Sequence, residues 1–266
     1  MSEHVGFPNI TFRDGIKSQG KRQVAVEVPV AISYRGTTQA VLMASPNHLE
    51  DLAVGFTITE GVVDYASEVI GCEIEEIDSG YEVRVDIAEE RLTRLLERRR
   101  FMAGPVGCGL CGIDSIGQAV RKPPRIQPSD TILTSTEIAD GMAAMAASQH
   151  INKVTRAVHS AAYYVPGVGV IATREDVGRH NAFDKLIGYC SSVHSSMNCL
   201  GAVFVSSRLS VEMVQKAAYF QTPILVAISA PTSLALSVAD EVGLTVVAVA
   251  RGGDFEVFTH PHRISF

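Results

Sequence analysis

In the second half of the chain, short apolar runs alternate with helical stretches, and few architectures accommodate that order. Ala202–Ser206, Ile224–Ser229 and Thr245–Ala250 are apolar almost throughout, and Ser210–Phe220 and Thr232–Val242 between them read as helices. A strand that is apolar on both sides needs cover on both faces, which helices crossing between parallel strands provide. Ahead of them, Ser135 caps a helix running through Ala147. Val154–Val165 and Gly169–Thr173 form a hairpin around Pro166-Gly167, Gly178–Tyr189 is a helix, and Phe255–Phe258 is a last short strand. The expectation is a three-layer α/β/α domain over 131–266, with a partly parallel sheet and an antiparallel entry.

The first half has a different texture. Val24–Tyr34 and Gln39–Ala44 read as strands around the Arg35-Gly36 turn. Ser45-Pro46 has the pattern of an N-cap with a first-turn proline, opening a helix over Asn47–Glu60. Glu68–Ile77 and Tyr81–Ile87 are strand-like, and Ala88–Arg100 is a charged amphipathic helix. Arg121–Asp130 holds three prolines and few large apolar residues, as a linker does. The organisation expected is therefore a flexible segment over 1–22, a smaller α+β domain over 23–120, a linker over 121–130 and the α/β domain. The whole is of α/β class, α+β overall.

At 266 residues and 46% hydrophobic, the chain can build a sizeable core. Its net charge of -6 argues against a surface that coats nucleic acid. No run of eighteen apolar residues suggests a membrane span, and the polar N-terminus lacks a signal core. The five cysteines (Cys72, Cys108, Cys111, Cys190 and Cys199) are odd in number and unevenly placed. That is a poor disulfide framework and points to the reducing cytoplasm.

Chemistry concentrates in three loops. Cys108 and Cys111 lie in a glycine-rich stretch after Arg98-Arg99-Arg100, and neighbouring cations favour the reactive thiolate. The pair could hold a metal, run redox chemistry or carry sulfur. For zinc hydrolysis of the deaminase type, His48-Leu-Glu50 is present, but Gly107 rather than proline precedes Cys108, and a whole helix separates the two motifs. A thioredoxin-like site would follow a strand directly. A structural zinc site would need two further ligands at close spacing. The second loop, Thr173–Lys185, packs Arg179 and His180 at a helix start, which suits an anion; a solvated, self-paired helix start reads equally well. The third, Val249-Ala250-Arg251-Gly252-Gly253-Asp254, follows a strand and could aim backbone N–H groups at a phosphate, or be a plain hairpin turn. Ser206-Ser207-Arg208, at another strand end, either lines the same cleft or precedes a cap at Ser210.

Several long motifs occur in order. They are Met43–Pro46, Gly55–Gly61, Gly107-Cys-Gly-Leu-Cys-Gly112, Glu175–Lys185, Ser206–Lys216 and Val257–Pro261. In these the chain resembles the formate dehydrogenase accessory sulfurtransferases, from about Val24 onward. The resemblance implies a sulfur carrier that takes persulfide sulfur from a cysteine desulfurase. It would pass the sulfur to the bis-molybdopterin guanine dinucleotide cofactor required by formate dehydrogenase. It implies Cys108 as the persulfide-bearing residue, Cys111 as its partner, and Val249–Asp254 as the cofactor-binding segment, with guanine nucleotide as a mimic. It further implies a homodimer, a C-terminal half similar to the cytidine deaminase fold, and no zinc.

Overall fold

A computed structural model describes residues 2–91, 122–193 and 200–266. Cys108, Cys111, Arg98–Arg100, Cys199 and most of the helix expected over Ala88–Arg100 lie outside these residues.

Residues 4–25, most of them expected as a flexible lead-in, instead form a hairpin of β1 (His4–Arg13) and β2 (Ile16–Ala25). Ten pairs run from His4↔Ala25 to Arg13↔Ile16. Asp14 (φ 50°) and Gly15 (φ 81°) make the turn. Two consecutive left-handed residues match the right-handed twist of the flanking strands, and Asp-Gly is a pair that tolerates them.

Next come β3 (Val28–Tyr34), β4 (Thr37–Ala44), helix α1 (Leu49–Thr59), β5 (Val69–Ile77) and β6 (Gly80–Ile87). The strands form a sheet of order β4-β3-β6-β5 in which only β3 and β6 run parallel. Its inner face presents Val30, Ile32, Tyr34, Val83 and Val85, all buried. Helix α1 lies against it, and Tyr34 Oη and Thr57 Oγ1 hydrogen-bond at 2.8 Å. Ser45 does not cap α1. His48, in the left-handed region at φ 51°, takes the N-cap position, and Ser45 is drawn into contacts with the other half of the chain.

The proline-rich stretch is irregular but tied down: Ile126 N donates to Val242 O at 2.8 Å, and Gln127 N to Gln221 Oε1 at 2.9 Å. After β7 (Leu133–Thr134), helix α2 (Ser135–Ala147) starts from a capping box of Thr134 and Glu137, one residue earlier than the expected cap. Then follow α3 (His150–Thr155), β8 (His159–Val165), β9 (Gly169–Asp176), α4 (Arg179–Val193) and β10 (Ala202–Val205). The chain continues with α5 (Val211–Phe220), β11 (Ile224–Ala227), α6 (Ser233–Val242), β12 (Thr245–Arg251), β13 (Asp254–Thr259) and β14 (Ile264–Ser265).

The six-stranded sheet has order β13-β12-β11-β10-β8-β9. Only β10, β11 and β12 run parallel, as the apolar alternation predicts. Each central strand is buried on both sides. Ala202, Phe204, Ile224, Val226 and Val247 pack toward α2. Val203, Val205, Leu225, Val246 and Ala248 pack toward α4, α5 and α6.

The two sheets share one core. Residues of the first sheet, α1, α4, α5 and α6 belong to the same buried cluster. Helices α1 and α4 meet through glycine. A Cβ on Gly55 would stand 1.8 Å from Asp184 O, and one on Gly188 1.9 Å from Asp51 O. No side chain fits between these two backbones.

Candidate functional site at the carboxyl end of the large sheet

Because β10, β11 and β12 are parallel, their carboxyl ends share one edge of the sheet, where α/β folds place ligands. The antiparallel register brings two more elements there. His159 at the start of β8 pairs with Asp176 at the end of β9, and Ala161 pairs with Val205. The same edge therefore collects His159, Arg179, His180, Ser206–Arg208 and Val249–Asp254. From β8 to β12 it spans roughly 14 Å at the usual strand spacing.

Most of the Glu175–Lys185 motif is framework. Glu175 accepts from Ile151 N and Asn152 N, both at 2.9 Å, anchoring α3. The buried Asp176 carboxylate accepts from Ser45 N (3.0 Å), Gly178 N (2.8 Å) and Asn181 Nδ2 (3.1 Å), and pairs with Lys185 at 2.6 Å. Lys185 Nζ also donates to Ser45 O and Asn47 Oδ1, both at 2.9 Å. Asp184 receives Lys216 Nζ at 2.7 Å and Thr59 Oγ1 at 2.8 Å. Asp176 and Asp184 are thus each paired with a lysine and further hydrogen-bonded, and Glu175 is satisfied by two backbone N–H groups, as burial requires. These residues are buried rather than solvated, and apart from the Asp176–Lys185 pair and the Asp176 bonds to Gly178 and Asn181 their partners lie outside the motif, on Ser45, Asn47, Thr59, Lys216, Ile151 and Asn152.

Arg179 and His180 are different. Among the described residues, the buried atoms Arg179 Nε and His180 Nε2 have no hydrogen-bond partner. Glu212 Oε2 lies 3.6 Å from His180 Nε2, too far for a hydrogen bond. Burial, reinforced by Lys216, Arg179 and His159, pushes the His180 imidazole down to about 3. It is neutral at pH 7, so one ring nitrogen donates and the other accepts. His159 is also lowered, by burial first and then by Arg179. The Arg179 guanidinium with its unpartnered Nε, and beside it the His180 ring in the tautomer that protonates Nε2, form the part of the edge suited to an anionic ligand. His159 and Glu212 escaped the reading of the sequence as site residues, because they sit on other elements and reach His180 only through the fold.

The remaining candidates divide. Ser206 extends the β8–β10 ladder: its N donates to Ser160 O at 3.0 Å, and its Oγ accepts from Ser160 N at 2.8 Å. Ser207 Oγ donates to Arg208 O at 3.0 Å, Arg208 is exposed, and Ser210 takes the N-cap position of α5. In the third loop, Arg251 pairs with Asp254 across a turn made by Gly252 (φ 58°) and Gly253 (φ 99°), so it is indeed a hairpin turn. Arg251 Nε is committed to Ile228 O at 3.0 Å. Nothing lies within 4 Å of where a Cβ on either glycine would stand, so their backbone is open to a ligand. Val249 is held at φ 53° by a bulge, with its N donating to Ser229 O and the following Ala250 buried. A β-branched residue is rare in that region and is retained only where its surroundings over-determine it.

Burial raises the Cys190 thiol to about 12 and the Cys72 thiol to about 11, so neither is a thiolate at neutral pH. Among the described residues there is no group of three His, Cys, Asp or Glu arranged to hold a metal ion, and no helix long and apolar enough to cross a membrane.

Comparison with known proteins places the chain among relatives along almost its whole length. The model of the FdhD/NarQ family matches residues 25–265. The "Sulfur carrier protein FdhD" of Agrobacterium fabrum (strain C58 / ATCC 33970) is 51% identical over 252 residues, covering 95% of this chain and 93% of that protein. The protein of the same description from Brucella abortus biovar 1 (strain 9-941) is 47% identical over 246 residues, with 92% and 91% covered. A crystal structure assigned provisionally to a formate dehydrogenase accessory protein from Desulfotalea psychrophila superposes with a TM-score of 0.76 at 26% identity. It covers 99% of this chain and 100% of that one.

Proposed function

The chain belongs to the FdhD/NarQ family, and from that premise we propose that it is a sulfur carrier serving the maturation of formate dehydrogenase. What carries the reading is its 51% identity, along 95% of its length, to a protein described as a sulfur carrier. The proposed donor is a cysteine desulfurase persulfide. The Cys108 thiolate attacks its outer sulfur; the bond between the two donor sulfurs breaks, the desulfurase leaves as thiolate, and Cys108 holds the persulfide. The Cys111 thiolate then attacks the inner sulfur of that persulfide, the Cys108–Cys111 disulfide forms, and the outer sulfur leaves as hydrosulfide for the acceptor. Cys190 and Cys72 are poor alternatives, because their raised thiols withhold the nucleophile.

The acceptor in this proposal is bis-molybdopterin guanine dinucleotide, a substrate that is loaded and passed on. The groups proposed to meet its phosphates are the Arg179 and His180 nitrogens and the open Gly252-Gly253 backbone with Arg251 beside it. The neutral His180 adds a hydrogen bond without adding charge. Ser206, Ser207 and Arg208 lie between these groups along the edge. The work belongs to the cytoplasm, with the carrier as a homodimer.

The test is mass spectrometry after incubation with desulfurase and cysteine. The expected result is a gain of one or more sulfur atoms in the wild type and none in Cys108→Ala. An unchanged wild-type mass, with guanine nucleotide still bound, would leave a cofactor chaperone without sulfur chemistry.

A further inference from the structure

Among the described residues the β1–β2 hairpin is a sheet by itself, with no further strand paired to either edge. A lone two-stranded hairpin is marginally stable in water, yet this one carries exposed large apolar side chains. Phe7 is 54%, Ile10 62%, Phe12 74% and Ile16 70% exposed. Alternation sorts them by face. One face sets Pro8, Ile10 and Phe12 in a column on β1, opposite Lys21, Gln19 and Lys17 on β2, and all six are exposed. An apolar column beside a cationic one, on an element that buries neither, has the form of a docking surface.

Charge selects the occupant. The hairpin holds Arg13, Lys17, Lys21 and Arg22 against the single carboxylate Asp14, in a chain whose net charge is -6. The exposed face carries no carboxylate. A second copy of the hairpin therefore offers it no counter-charge, whereas an acidic protein surface with an apolar centre does.

The root of the hairpin places it beside the proposed acceptor site. Val26 N donates to Glu3 O at 2.9 Å, and Asn47 Nδ2 to Glu3 Oε1 at 2.8 Å. The same Asn47 accepts from Lys185, which pairs with Asp176 at the start of the segment that sets Arg179 and His180. Arg22 Nη2 donates to Thr155 O at 3.1 Å. The arm is rooted in the framework of the proposed acceptor site. The family match begins at residue 25, where the hairpin ends, so the arm lies outside the segment that the family model describes.

We propose that the β1–β2 hairpin is a docking arm for the protein that receives the loaded cofactor, which meets it with an acidic, apolar-centred face. The inference rests on the reading of the sheet edge as the acceptor site. The arm uses Ile10, Phe12, Lys17 and Lys21 for contact and takes no part in the sulfur chemistry.

The experiment uses the full chain and purified apo-formate dehydrogenase from the same organism. A variant combining Ile10→Ser, Phe12→Ser, Lys17→Glu and Lys21→Glu is compared with wild type by calorimetry at low and high salt. The expected result is salt-sensitive binding by wild type that is at least tenfold weaker in the variant, with guanine nucleotide binding and desulfurase-dependent mass gain unchanged. Equal binding by both proteins, or no binding by wild type, overturns the proposal. So does a variant that loses desulfurase instead, or one whose oligomeric state changes while its enzyme binding persists. Wild type that binds no guanine nucleotide would strike the acceptor-site reading itself, which separates the two failures. If the quadruple variant does not fold, Lys17→Glu with Lys21→Glu alone is judged by the same criteria.

Discussion

His180 shows how an environment assigns a role to a side chain. Surrounded by Lys216, Arg179 and His159 and largely buried, it stays neutral down to about pH 3, while in the unfolded chain it takes up a proton below about 6.5. The unfolded state therefore binds more protons in that window, and stability must fall as pH drops through it. Between pH 7 and pH 5 the loss from this one group is about 1–2 kcal/mol. Urea unfolding at the two pH values should show it, and His180→Gln should reduce the difference by that amount. An unchanged pH dependence in the variant would mean that His180 is not held neutral. His159, lowered for the same leading reason, adds to the loss in the same direction. Arg179 and His180 were legible in the sequence as polar residues at a helix start. What surrounds them was not, because His159 and Glu212 lie 21 and 32 positions from His180.

At the scale of elements, the crossing of α1 and α4 is fixed by two glycines. Gly55→Ala places a methyl group 1.8 Å from a backbone oxygen that no rotamer change can move aside. The expected cost is roughly 3 kcal/mol or more, the upper end for an overpacked core. Gly71→Ala, where nothing lies within 4 Å, is the control and should stay within about 1 kcal/mol. Denaturant unfolding of the pair decides; equal stabilities would mean that the helices can separate cheaply. The central strands and their helices were readable because burial on both faces leaves an unbroken apolar run. The first hairpin was not, although Asp14-Gly15 carried its signal. A ribbon that buries almost nothing has the polar, mixed composition of a disordered segment, and only its turn chemistry sets it apart.

At the scale of the molecule, the Asp176–Lys185 pair joins the halves. Lys185 reaches Ser45 O and Asn47 Oδ1 in the first half from a helix of the second, at full burial. Lys185→Met would leave Asp176 charged and unpaired, at a cost of about 3–5 kcal/mol. Because Asp176 also organises Gly178 and Asn181 at the helix start, the variant should weaken guanine nucleotide binding along with stability. Calorimetry at a temperature where the variant remains folded separates the two effects, and full affinity there would make the pair purely structural. The division of the chain into two textures was visible in its composition. The shared core was not, because it depends on which helix faces meet.

That shared core also limits what recombination could do with this chain. A chimera joined within 122–130, taking its first part from one relative and its second from another, would splice loosely structured backbone and still have to reconcile two helices bred separately. Unless both parents set glycine at the positions of Gly55 and Gly188, the incoming α4 would meet the resident α1 at the wrong separation, and the hybrid would be lost before its chemistry was tried.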